Sequence, residues 1–324
     1  MSLSTRIKNT IASAISLLSS LFDLAFGLFF ALVILLSVYV LKDTEAVYNS
    51  ANADQFASLK PRVTEETGEK KYSFEEVLAI NSDVQAWLQI YGTAIDYPLL
   101  HGDDNSKYLT TDLWGKFSSA GSLFIDVANA GDFSDFNTLI HGHHMYAHAM
   151  FGDISEFENS TFFDSHQYGE LITKTGKKGL HFFAYLKVDS DDNSVYTGPV
   201  TGTEQRQNFL DNIKKIAFHY RDLGVTTDDH IVLMNSCRDA SYKARQVLVG
   251  LITDDLQPNP FPEPEEGPGL FTSAGRNALF DQINPGLRPY LAIILSSLFL
   301  LILVLIWFIF KMADKKKDRS RQKS

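Results

Sequence analysis

Two long apolar runs bracket the chain. From Leu24 to Leu41 the sequence reads LAFGLFFALVILLSVYVL, without a charge, and from Tyr290 to Phe310 it reads YLAIILSSLFLLILVLIWFIF. As a helix the second run reaches about 31 Å, against roughly 30 Å for a bilayer's hydrocarbon core. Both predict transmembrane helices. No small-residue cleavage pattern follows the first in LKDTEAVYNS, so it is expected to stay attached as an anchor.

Between the runs the pattern changes to short elements. Ser73 precedes FEEVLAI with Glu76 three positions on, a capping-box signature for a helix read here to about Ile90. Short β-rich runs follow at 94–100, 121–126, 136–142, 168–173, 179–188, 230–236 and 245–252. One helix interrupts them, because Phe209, Ile213, Ile216, Ala217 and Tyr220 recur at helical spacing between Thr203 and Tyr220. The expected fold is mainly β, a barrel or sandwich with peripheral helices. Seven of the ten prolines fall between Pro258 and Pro289, which marks an extended spacer. The expected order is an N-terminal cytoplasmic or amphipathic segment (1–23), a span (24–41), a stalk (42–72), a folded domain (73–254), a Pro-rich spacer (255–289), a second span (290–310) and a basic tail (311–324).

Charge orients this layout. Arg6 and Lys8 precede the first span, and Lys311, Lys315, Lys316, Lys317, Arg319, Arg321 and Lys323 follow the second, so both ends are expected in the cytoplasm and residues 42–289 outside. With the basic ends set aside, the remainder is more acidic than the net charge of −10 for the whole chain. That argues against binding nucleic acid through its phosphates. The chain has one cysteine, so no intramolecular disulfide can form and a lone exported thiol needs another account.

That thiol, Cys237, follows HIVLMNS at the end of a predicted buried strand, and Arg245 opens the next strand eight residues later. Antiparallel neighbours joined by so short a connection bring the two residues close. Taken singly, Cys237 reads as a small buried hydrophobe and Arg245 as a surface cation. Four histidines, His141, His143, His144 and His148, stand in NTLIHGHHMYAHAMFGD. A zinc site is the competing reading, but His143 and His144 face opposite sides of a strand and no Asp or Glu lies within the cluster. Asp189, Asp191 and Asp192 form an acidic turn that lacks a full calcium ligand series.

These pieces together resemble the class B sortases, whose motifs are a strand ending in Tyr-Gly-His-x-Met and a later strand ending in Ser-Thr-Cys, followed by a strand with an arginine. WLQIYGTAIDYPLLHGDDNSKYL (87–109), GKFSSAGSLFIDVAN (115–129) and MFGDI (150–154) are similar to further family segments, in the same order, so the resemblance covers most of residues 73–252. His141 stands where a tyrosine is common, Asn235-Ser236 replaces Ser-Thr, and Arg238 follows the cysteine.

The resemblance implies a closed sortase-type β-barrel of about eight strands, with an N-terminal helix and a helix between late strands, flanked by the two transmembrane helices. It implies a cysteine transpeptidase of the Gram-positive cell surface, with Cys237 as nucleophile, His143 as acid/base and Arg245 as oxyanion stabiliser. Asp126 and Asn129 match family positions and are read as structural. Neither a metal nor a cofactor is required. The implied partners are surface or pilin proteins with C-terminal sorting signals, an amine acceptor and the membrane. A C-terminal span looks like pilus-building sortases, so the expected acceptor is a pilin lysine, although the aspartate-proline-aromatic lid of class C enzymes is absent between Lys42 and Tyr72. Anchoring to a peptidoglycan cross-bridge, a membrane-tethered cysteine peptidase and a non-enzymatic surface receptor remain alternatives.

Overall fold

The computed structural model describes residues 3–61, 73–145, 148–189, 194–237 and 244–261. The second apolar run, the basic tail, nearly all of the Pro-rich stretch, Arg238, Asp191 and Asp192 lie outside the described residues.

The chain divides into two units, with the boundary after Glu45. Helix α1 (Leu3–Ala51) begins in the first. Among the described residues it alone is long and apolar enough to cross a membrane, over Ser13–Val40, and it exposes its large apolar side chains.

The second unit begins at Ala46 and holds the barrel. The end of α1 and the turn after it are packed, unlike the stalk expected over 42–72. Asn52 caps a 3-10 helix at Ala53–Leu59 by accepting from the Asp54 N–H (3.1 Å). Phe56 and Leu59, three apart and so on one face of a three-residue turn, are buried, and Phe56 stacks on Trp114 at 5.3 Å. The capping box at Ser73 is present at the start of α2 (Phe74–Ile80).

α2 stops at Ile80, ten residues short of the sequence expectation. Asn81 accepts from the Asp83 N–H and turns the chain, and Val84–Ile90 is strand β1. β1 pairs antiparallel with β2 (Asp96–Leu100) on one side and β5 (Tyr168–Thr173) on the other. Two flanking strands satisfy its backbone groups, so tertiary pairing overrides a continued helix. The remaining strands are β3 (Leu123–Ile125), β4 (Asn137–His143), β6 (Gly176–Asp189), β7 (Ala217–Tyr220), β8 (His230–Cys237) and β9 (Ala244–Thr253).

Their order is β5-β1-β2-β3-β4-β8-β9-β6-β7, and pairing of β5 with β6 closes eight of them into a barrel with β7 on the outside. The closed eight-stranded barrel is the architecture expected from the resemblance. The remaining α-helices among the described residues are α3 (Ser160–Ser165) and α4 (Thr203–Ile216). α4 ends before the helix expected to Tyr220, because Ala217–Tyr220 instead pairs with β6.

Alternation along the central strands sorts side chains onto two faces. Ile140, Val232, Met234 and Leu248 enter one apolar cluster with Leu88 and Leu171 from the far wall, which makes that face the lumen. Leu139, Leu233, Val247 and Val249 enter a second cluster with Phe209 and Ile213 of α4, on the outer face. β4 and β8 are parallel and apolar on both faces, as covered parallel strands are.

Candidate active site

Three strand ends meet at one edge of the outer face. β4 pairs in register with β8 from Asn137↔Ile231 to His143↔Cys237. β8 pairs with β9 up to Ser236↔Gln246, the positions next to Cys237 and Arg245. Side chains two apart share a face. His143 therefore lies on the face of Leu139 and Arg245 on that of Val247. The three positions form one row across β4, β8 and β9. With strands about 4.8 Å apart, the row spans roughly 10 Å of backbone.

His143 is half-buried, and its Nε2 lies 2.9 Å from the Leu109 carbonyl oxygen. A carbonyl only accepts, so Nε2 carries hydrogen and Nδ1 is left for proton exchange. Leu109 ends a 3-10 turn (Lys107–Leu109) clamped by the Ser122 N–H, which donates to the Tyr108 carbonyl at 2.9 Å.

Gly142 sets His143 at its depth in the barrel wall. A Cβ there would come within 2.3 Å of Leu123 Cδ2 and 2.5 Å of the Phe151 ring, whose backbone N–H donates to the His143 carbonyl. Gly142→Val should destabilise the barrel by about 1–3 kcal/mol by overpacking. Denaturant titration checks this; an unchanged midpoint would show that Leu123 and Phe151 yield freely.

The four histidines separate once the strand alternation is applied. His144 faces with Ser236, whose Oγ is 3.5 Å from its Nδ1, away from His143. His148 pairs with Asp153. His141, in the outer-face row next to His143, forms a polar chain. The Asn235 amide nitrogen is 3.3 Å from its Nδ1, and its Nε2 is 2.8 Å from Asp126. An amide N–H donates, so Nδ1 accepts and Nε2 donates to the carboxylate. Among the described residues no group of three or more His, Cys, Asp or Glu is placed to hold a metal ion. Asn129 accepts from the Leu139 N–H (3.0 Å) and donates to the Asn137 carbonyl (2.8 Å), bracing the start of β4.

Asp126 is held below the usual carboxylate range, mainly by the His141 hydrogen bond and further by the Ala128 N–H, against a burial effect that raises it. A folded-state pKa below the unfolded value contributes stability above that value and loses it as pH falls through the folded one. Asp126→Asn should therefore lower stability at neutral pH and flatten its decline below about pH 4. Urea denaturation at neutral and acid pH tests this; parallel pH curves for the two proteins would refute it.

Two contacts were not legible from sequence. The Leu109 carbonyl is 34 residues from His143. Tyr196 lies under Arg245, with the guanidinium carbon 5.3 Å from the ring centroid. Neither carries a motif, and only the fold brings them in.

No protein-family model matches this chain. Sortase B of Staphylococcus aureus is 32% identical over 176 residues, 54% of this chain and 72% of that protein. Among solved structures, sortase B from the type II pilus of Streptococcus pneumoniae is 35% identical with a TM-score of 0.50, over 56% of this chain and 99% of that one. A Streptococcus pyogenes class B sortase involved in pilus biogenesis is 34% identical with a TM-score of 0.51, over 55% and 97%. With a closed barrel and a single thiol at a strand end beside a histidine, these likenesses define a cysteine transpeptidase. The chain belongs to the sortase B family.

Proposed function

We propose that this sortase cleaves the C-terminal sorting signal of surface proteins through a thioester on Cys237 and transfers the new carboxyl end to a pilin lysine. The observation that carries the site assignment is the strand register, which pairs position 237 with His143 and ends the β8–β9 ladder at Ser236↔Gln246, next to Cys237 and Arg245. Cys237 is also the only thiol the chain has.

In this reading the Cys237 thiolate attacks the scissile carbonyl carbon, and Arg245 donates hydrogen bonds to the oxyanion that forms. Imidazolium at His143 protonates the departing amine as the C–N bond breaks. The acceptor amine then attacks the thioester carbonyl and gives a proton to His143, and the thiolate leaves. One amide is exchanged for another, with no net redox change. Arginine suits the oxyanion role because it stays charged and offers several donors in a planar fork.

The pilus reading draws on the two streptococcal relatives with pilus-related roles and on the apolar run at 290–310. The accompanying topology is two-pass, with spans at 24–41 and 290–310, the catalytic domain of 73–254 outside and both termini cytoplasmic.

The test offers the full-length enzyme, in detergent or nanodiscs, a surface protein that carries a C-terminal sorting signal. Either a pilin-derived lysine peptide or a peptidoglycan cross-bridge peptide is supplied as acceptor. Isopeptide product on the lysine should dominate by mass spectrometry. Product on the cross-bridge alone would assign wall anchoring instead, and free acid alone would assign a peptidase.

A further inference from the structure

The geometry points to Tyr196 as a positioning residue that holds the Arg245 guanidinium in its working orientation, an inference that rests on the role proposed for Arg245. The contact is a cation–π approach of 5.3 Å between the Arg245 guanidinium carbon and the Tyr196 ring centroid. Arg245 pairs with Val188 on β6 and stands one position beyond the last β8–β9 pair, Ser236↔Gln246. A long side chain there has many rotamers, and only some direct its N–H fork along the row towards Cys237.

An aromatic ring against a guanidinium restricts that freedom without using its donors. A ring attracts the guanidinium through its π electrons and takes up none of the N–H donors. Tyr196 can serve because its own loop is pinned. Val195 beside it is fully buried in the outer-face cluster. The buried Asn137 side chain donates to the Thr197 carbonyl (3.4 Å) and accepts from the Val200 N–H (2.7 Å). Asn137 opens β4, and His143 closes it, so one strand fixes both the imidazole and the loop that seats the ring. Arg206, from the first turn of α4, adds a bond from its Nε to the Val200 carbonyl (3.4 Å), with its guanidinium carbon 5.2 Å from the Phe136 ring centroid.

The role belongs to the ring rather than to the hydroxyl. Tyr196→Leu keeps bulk but removes the π face, and should lower kcat by roughly 5- to 30-fold with little change in KM. Tyr196→Phe should restore kcat to within about two-fold of the native enzyme.

A double-mutant cycle in the full-length protein tests the coupling. In an Arg245→Ala background, with product quantified by mass spectrometry over long incubations, Tyr196→Leu should bring no further loss. If Tyr196→Leu lowers the rate by the same factor with and without Arg245, the ring acts elsewhere and the inference is overturned. It is also overturned if Tyr196→Phe falls as far as Tyr196→Leu, or if the leucine variant raises KM alone. If Arg245→Ala itself keeps full activity, the proposed role of Arg245 has failed, which is distinct from a failure of the Tyr196 coupling.

Discussion

Cys237→Ala should form no thioester and no ligated product, a loss of the order of 10⁴-fold or more. The size of the effect follows from covalent chemistry, because without Sγ no atom of this chain can accept the acyl group at that position. The experiment is unusually clean here, since the chain has no second thiol to substitute or to react. Intact-mass spectrometry after incubation with a sorting-signal substrate should show an acyl adduct on the native enzyme and none on the variant. The variant should keep the barrel, because the β4–β8 ladder in which residue 237 takes part is held by backbone pairing along its length. Unchanged processing of co-expressed substrates by Cys237→Ala would end the assignment of this thiol.

Arg245→Ala should reduce kcat by about 10²- to 10³-fold, the usual cost of removing one donor aimed at a developing oxyanion. Arg245→Lys should recover only part of this, since an ammonium keeps the charge but lacks the planar fork. KM should change far less than kcat if the guanidinium acts mainly on the transition state. Steady-state kinetics of the three proteins decide it. An alanine variant within a few-fold of native kcat would leave Arg245 as an ordinary strand-end cation beside the Tyr196 ring.

The parts of the fold that sequence conveyed are those dominated by local pattern. Ser73 and Glu76 form the capping box their spacing announced. The apolar runs at 136–142, 230–236 and 245–252 became β4, β8 and β9, since Val, Ile and Leu in short bounded runs suit strands buried on both faces. Elsewhere the local pattern is ambiguous. VQAWLQI follows a helix directly and carries residues acceptable in either state, and its two strand partners, β2 and β5, decided for β1. Phe56 and Leu59 lay in a stretch whose polar composition suggested a stalk, yet the barrel gave them apolar surface to cover.

For the site, sequence by itself determined which groups were available: one thiol, four clustered histidines and an arginine eight residues beyond the thiol. It also determined that Cys237 and Arg245 would sit on adjoining strands, because so short a connection permits little else. Only the tertiary structure decided that β4 lies parallel beside β8, with His143 at the level of Cys237. It also decided that His144 faces the other way, that Leu109 accepts from His143 and that the Tyr196 ring meets the Arg245 guanidinium. The physical reason is separation along the chain. Parallel neighbours need a long crossover, and 94 residues divide His143 from Cys237. Hydrophobic periodicity sets which face a residue takes but carries no information about which distant strand will be its neighbour.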